Sequence, residues 1–378
     1  MMRNFIFIGI VVAGFLVSCG QKKSDRIAAT EQVMPDSVYN SVYANRFTIK
    51  YFNKYKEIQV VHPWDSTAAP ISIVLSSDSL FLKDHPQAIK LPIRRWISVA
   101  STQICYANEL DALSTLVGIA EPEYVSNEYV QDGLNNGSIR NIGTAYSPDM
   151  EVVLSLNPDM MMVSPFKDDY YGPLREAGIK VVTNSSYLEN TPLGRVEWLV
   201  YFSAFFNKEK EALEKVDQLA AKYEQVKLEA TKASSRPSVF SGKIFQGIWY
   251  APAAQSYKAN FFKDAGVEYI FKDKDGVGSL TYDFETVYEA AGNCDYWSLL
   301  VNYPGEYSYA ALSKEDARYE DFNAYKNRSI IYSNTSTSKY YEEGLLRPDL
   351  ILSDMVKLFH PELLQGYEPV FYKKLTKE

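Results

Sequence analysis

Histidine and cysteine are scarce in this 378-residue chain, with three of each. His62, His85 and His360 lie far apart and share no metal-ligand spacing with the cysteines, so no built-in metal site is expected. No Cys-x-x-Cys pair is present, which removes thioredoxin-type redox chemistry. Basic runs are also missing. With 39 Lys and Arg against 47 Asp and Glu, the net charge is −8, and a chain without clustered cations lacks the footprint that a nucleic acid backbone requires. The Gly-x-Ser-x-Gly elbow, the phosphate-cradling P-loop and the His-Glu-x-x-His pair are absent, so no motif marks a nucleophile, a nucleotide site or a zinc protease, and no resident cofactor is implied. "GVGS" at residues 276–279 is a turn, too little for a nucleotide loop.

What the chain does contain begins with a targeting segment. Arg3 precedes an apolar run over residues 5–17, too short to span a bilayer comfortably and followed at once by Ser18, Cys19 and Gly20. Residues 1–18 read as a signal peptide. "LVSC" resembles the lipobox of bacterial lipoproteins, in which cleavage leaves Cys19 as the new amino terminus carrying lipid. Several acyl chains, at roughly 0.8 kcal/mol per buried methylene, would hold the protein at a bilayer in the cell envelope, facing the periplasm. Residues 19–45, with "GQKKSDRIAATEQ", lack apolar periodicity and are expected to form a tether. Cys105 and Cys294 then remain, read as separate buried thiols.

From residue 46 to 92, "RFTIKYF", "YKEIQVVHP" and "PISIVLSS" predict a small β-rich extension bounded by Pro and Asp turns. Residues 93–190 alternate strand and helix, beginning with strand "IRRWISVAS" and helix "TQICYANELDAL", the pattern of a mostly parallel sheet. Residues 191–235 are helical. Thr191 and Pro192 suit a cap and a first helical position. Farther on, "NKEKEALEKVDQLAAKYEQVKLEATKA" has neither Gly nor Pro, and Ala212, Val216, Leu219, Ala220, Tyr223 and Val226 recur at three- and four-residue steps. About 25 residues rise ~40 Å, enough to cross between domains. Residues 236–378 repeat the alternation, opening with "PSVFSGKIF" read as one strand. Pattern alone therefore predicts two α/β lobes joined by a helical strut.

One frame occurs twice. "YSPDMEVVLSLNPD" and "LTYDFETVYEAAGNCD" each place Ser147 or Thr281 as a cap, Asp149 or Asp283 two positions on, and Glu151 or Glu285 two beyond that. First-turn carboxylates complement the helix macrodipole, worth about 0.3–1 kcal/mol. Recurrence in both lobes suggests instead a pseudo-symmetric surface with one exposed acid per lobe, suited to a partner with two basic pockets. Over residues 93–375 the sequence resembles the substrate-binding lipoproteins of ABC importers for ferric siderophores, haem and cobalamin. The family's Asn-x-Gly, Pro-x-x-Glu and Leu-x-Pro-Asp signature matches "NIGTAYSPDMEVVLSLNPD", and "KDAGVEYIFKDKDGVGS" ahead of "LTYDFETV" is also typical. The resemblance implies a class III periplasmic-binding fold, two Rossmann-like lobes joined by a long helix, and a monomer that captures a ferric siderophore or haem and delivers it to an importer permease. It places the permease-docking glutamates at Glu151 and Glu285.

Loops at the carboxyl ends of strands line ligand clefts in open α/β sheets. The residues expected to bind ligand are Ser101, Thr102 and Gln103, Lys167 and Tyr171, Arg195, Trp249 and Tyr250, and Tyr340; Tyr170, Tyr187, Glu189, Tyr303, Tyr307, Lys339 and Tyr341 lie on the same loops. Aromatic rings cover flat apolar faces while Lys and Arg meet anionic oxygens, which suits a metal chelate or a macrocycle. Three alternatives stay open on the residues: a corrinoid ligand, a carboxylate-based glycan hydrolase, and a structural surface lipoprotein.

Overall fold

Alternation of apolar and polar residues builds the first sheet of the computed structural model, which describes residues 34–378. Strands β1 (Ser37–Asn40), β2 (Phe47–Phe52), β3 (Tyr55–Val60), β4 (Ile71–Ser76) and β5 (Ile89–Lys90) lie in that order, antiparallel except for the β4–β5 pair. Ile49, Ile58, Val60 and Leu75 fall on one face and are fully buried. They share one core with Trp96, Tyr106, Trp198 and Phe202, so the extension is packed into the first lobe. It also begins earlier than its expected boundary at residue 46. Residues 37–45 do not belong to a tether, because β1 pairs with β2 and the turn behind it is bound by Glu197 of the helix Pro192–Ser203. Cys19 and the signal segment lie outside the described residues.

The first lobe carries β6 (Trp96–Ser98), β7 (Leu116–Ile119), β8 (Arg140–Asn141), β9 (Met160–Val163) and β10 (Val181–Thr183), all parallel, in the order β10-β9-β6-β7-β8. β7 and β9 are buried throughout, as expected of strands with helices on both faces. The second lobe contains β11 (Ser238–Ser241), β12 (Ile244–Phe245), β13 (Ile248–Pro252), β14 (Glu268–Tyr269), β15 (Ser279–Tyr282), β16 (Tyr296–Val301), β17 (Ile330–Asn334) and β18 (Lys373–Lys374). Its main sheet runs β14-β11-β16-β17-β18, parallel except at β18, and a separate antiparallel sheet is ordered β12-β13-β15. The "PSVFSGKIF" stretch is therefore two strands. Gly242 breaks it: its φ is 91°, and a Cβ there would sit 1.9 Å from the Tyr250 carbonyl oxygen, so only glycine fits.

The strut is the helix Glu209–Ala230. Its first half buries Ala212, Val216 and Leu219 in the first lobe's core, and its second half buries Ala220, Tyr223 and Ala230 in the second lobe's. The helix before it, Pro192–Ser203, is capped by Thr191, whose Oγ1 accepts from the Gly194 amide at 3.0 Å. Two buried carboxylates tie the ends of the described chain to helices. Glu197 accepts from the amides of Val42, Tyr43 and Ala44 and from the Tyr39 hydroxyl, at 2.6–2.7 Å. Asp354, on the helix Pro348–Phe359, accepts from the amides of Val370, Phe371 and Tyr372 and from the Tyr367 hydroxyl, at 2.6–2.9 Å. Cys105 and Cys294 are free and buried, and burial pushes their thiols up to about 12 and about 11.

Candidate functional site at the strand-order reversal

In an open parallel sheet the connections diverge where the strand order reverses, leaving a crevice beyond the carboxyl ends of two neighbouring strands. In the second lobe that point lies between β11 and β16. A cavity of about 400 Å³ occupies it, walled by Ser241, Gly242 and Lys243 at the end of β11 and by Leu299 and Leu300 of β16. The chain crosses over it with Tyr250 of β13, with Tyr257 and Lys258 in the first turn of the helix Tyr257–Asp264, and with Tyr340 and Tyr341. Arg195 closes the wall from the helix Pro192–Ser203.

The cavity is apolar and cationic. Arg195 donates from Nε to the Glu189 carbonyl at 3.2 Å and from Nη2 to the Tyr187 carbonyl at 2.9 Å, while its guanidinium carbon stands 3.7 Å above the centre of the Tyr257 ring. Lys258 donates to the Tyr372 hydroxyl and lies over the Tyr372 and Phe262 rings, 4.3 and 5.2 Å from their centres. Among the described residues neither cation has a carboxylate in ion-pair contact. Loss of water around Lys258 lowers its ammonium to about 7. Lys243 is paired with Glu315.

Of the expected ligand-binding residues, Arg195, Tyr250 and Tyr340 come together on this cavity, joined by Tyr341. Trp249 does not. It is fully buried, its Nε1 donating to the Ser241 carbonyl at 3.2 Å and its ring stacked on Trp297 at 5.8 Å. Neighbours on a strand face opposite ways, and here Tyr250 has the open side. Tyr171 is likewise inside the protein, bonded to the Ala145 carbonyl at 2.8 Å. Gln103 is buried, its amide oxygen accepting from Ser98 Oγ and the Val99 amide, beside half-buried Ser101 and Thr102. Glu189 points inward to the Asn45 amide and the Trp198 indole, and Tyr307 is buried against Glu315. Lys167 is exposed, and Lys339 pairs with Glu343 at 3.3 Å.

Sequence reasoning missed Tyr257 and Lys258. Both lie in "SYKANFFKDAG", within the strand–helix alternation of residues 236–378, where the first turn of a helix that follows a strand also faces the crevice. On the first lobe, Tyr146, Phe166 and Tyr170 interlock with ring centres 4.6–5.7 Å apart, on loops after β8 and β9. The lobes also touch directly: Glu342 accepts from the Ser126 and Asn127 amides at 2.8 and 2.9 Å.

The repeated frame is resolved differently from its reading. The caps are Asp149 and Asp283, accepting from the amides of Val152 at 3.0 Å and Thr286 at 2.7 Å, so Ser147 and Thr281 stand outside the helices. A carboxylate three residues ahead of the amide it accepts from is the ordinary capping geometry. Glu151 and Glu285 then occupy the second helical position, both exposed. Among the described residues Glu151 has no ion-pair partner, whereas Glu285 meets Arg318 at 3.3 Å.

A sequence profile described as periplasmic binding protein matches residues 98–337, beginning after the amino-terminal sheet. Two uncharacterized lipoproteins of Methanocaldococcus jannaschii, MJ0878 and MJ0872, are 28% and 22% identical over 100% and 98% of this chain and 98% and 99% of their own lengths. A periplasmic heme binding protein from Pseudomonas aeruginosa superposes with a TM-score of 0.60 at 16% identity, covering 76% of this chain and 99% of that one. The periplasmic vitamin B12 binding protein BtuF of Vibrio cholerae gives 0.52 at 14% identity over 71% and 97%. At such identities the structures speak for the fold, and the profile speaks for the family. That match overturns the hydrolase alternative. The chain belongs to the periplasmic binding protein family, as a substrate-binding protein of the cell envelope and not an enzyme.

Proposed function

We propose that this protein is the ligand-capturing component of an ABC importer, held to the membrane through lipid on Cys19, and that it takes up an anionic metal chelate, a ferric siderophore or haem, for delivery to the permease. The observation that carries this reading is the cavity at the strand-order reversal, where Arg195 and Lys258 meet tyrosine faces without a neutralising carboxylate among the described residues. Cations withheld from ion pairs in an apolar wall are matched by an anion that brings its own charge and flat surface. The likeness to haem- and vitamin B12-binding folds supports the choice of ligand class. Native mass spectrometry after exposure to haemin, ferric catecholate and hydroxamate chelates, and cobalamin tests it. Retention of an anionic chelate at micromolar concentration is expected; retention of cobalamin alone would move the ligand to the corrinoids, and a folded protein that keeps none of them would refute the reading.

Lys258 gives the binding a pH dependence. An anion in the cavity favours the ammonium form, which in the free protein is complete only below about 7. Affinity should therefore be highest below that value and fall as the pH rises through it. The Tyr372 hydroxyl facing it is pushed up by burial and stays neutral. Titrations from pH 5.5 to 8.5 should show the decline in the wild type and a flat profile in Lys258→Met.

A further inference from the structure

We propose that the amino-terminal sheet is part of the ligand site, with Trp64 forming an aromatic wall for an anionic ligand that presents flat conjugated faces and whose charged end lies beside Arg195; this rests on the cavity being the place of capture. Trp64 stands on the loop between β3 and β4, and it is 44% exposed although the other four tryptophans of the chain are fully buried. Its position is built. The indole Nε1 donates to the Phe166 carbonyl at 2.9 Å, and His62 Nδ1 and Asp65 Oδ1 accept backbone amides within the same turn. A large ring held in place by its edge, with no aromatic partner among the described residues, leaves a face available for stacking.

The loop that holds this ring is linked to the cavity wall by a chain of hydrogen bonds. Phe166 follows β9, at the first lobe's own strand-order reversal between β6 and β9, and belongs to the ring group with Tyr146, which is 55% exposed. The adjoining Pro165 carbonyl accepts from the Tyr187 hydroxyl at 2.7 Å, and the Tyr187 carbonyl accepts from Arg195 at 2.9 Å. The loop carrying the aromatic group and the cavity's Arg195 are thus joined by one run of hydrogen-bonded residues. At about 400 Å³ the cavity is near the small end of ligand pockets, which run roughly 300–1,000 Å³, so a large flat chelate extends beyond it. The next rings it meets are those of the first lobe and the extension. Glu197 of the helix Pro192–Ser203 and Glu189 of the loop before it hold the end of β1 and the turn that follows it, so the wall is in place before ligand arrives.

Haemin and a ferric tris-catecholate are the probes. Binding to the wild type, Trp64→Ala and Trp64→Phe is measured by titration, and Trp64 oxidation is followed by footprinting and mass spectrometry with the four buried tryptophans as internal controls. The expected result is roughly tenfold weaker binding for Trp64→Ala, recovery of most affinity with the phenylalanine, and protection of Trp64 by ligand in the wild type. Thermal unfolding of the variants checks that the fold is kept. Wild-type binding with undiminished affinity in Trp64→Ala, or with Trp64 oxidised equally in the bound state, would overturn the wall while leaving the cavity as the capture site. Failure of both probes to bind the wild type would overturn the capture reading for this ligand class and the wall with it.

Discussion

Glu197→Ala should lower the stability of the folded protein by about 3–5 kcal/mol and its unfolding temperature by roughly 4–7 °C. The size follows from how many groups depend on one buried carboxylate. Four donors, the amides of Val42, Tyr43 and Ala44 and the Tyr39 hydroxyl, end on its two oxygens, and Glu197 is 1% exposed. The deletion leaves the buried Ala44 amide unpaired and the half-buried Tyr39 and Tyr43 donors partly so, while the donor of exposed Val42 can turn to water; a fully buried unpaired group costs about 1–3 kcal/mol. Glu197→Gln should fall between, since an amide keeps one acceptor oxygen and turns an NH2 group toward donors. Hydrogen exchange should locate the damage in residues 37–60. A melting temperature within 2 °C of the wild type for the alanine variant would contradict the assignment. Because the same contacts hold the sheet that carries Trp64, this variant should also weaken haemin binding.

Reversing charge at the second helical position of the repeated frame should stop uptake without touching capture. Under the importer reading, Glu151 and Glu285 face basic pockets of the permease, and a lysine in either place brings like charges together. Such contacts cost several kcal/mol, so permease association should weaken roughly a hundredfold or more. The two sites are not equivalent. Glu151 has no ion-pair partner among the described residues, whereas Glu285 already shares Arg318 with Asp316, and Arg318 lies 4.1 Å from the centre of the Phe284 ring. Glu285→Lys should therefore also disturb its own lobe slightly, and Arg318→Ala should leave a bare glutamate that docks at least as well as before. Uptake assays in cells, alongside chelate titration of the purified variants, separate the two functions. Loss of ligand binding in either reversal, or normal uptake in both, would remove the docking role.

Local regularity made much of the architecture legible. Unbroken three- and four-residue spacing marked the helix Glu209–Ala230, and strand–helix alternation marked both lobes, because secondary structure repeats with a period that short stretches of sequence record. The acidic first turns were legible for the same reason, down to a misplaced cap. The site was legible only as a set of loops. Trp249 and Tyr250 are adjacent and chemically alike, and alternation says that they face opposite ways without saying which face is inward. Packing of the β12-β13-β15 sheet against Trp297 and Phe240 decided that Trp249 is core and Tyr250 is wall. Glu189 reads only as one more residue of a cleft loop, whereas in the fold the Asn45 amide, more than a hundred positions earlier, donates to it. Lys258 reads as an ordinary helix cation, and Trp64 as a turn residue of a separate extension. Their places beside the cavity and the Phe166 loop depend on segments brought together from distant parts of the chain. Sequence by itself determined the elements, their order and their amphipathic faces, since these arise from interactions within a few residues; which buried face met which, and hence which cation stayed unpaired and which ring stayed open, was decided by tertiary contacts.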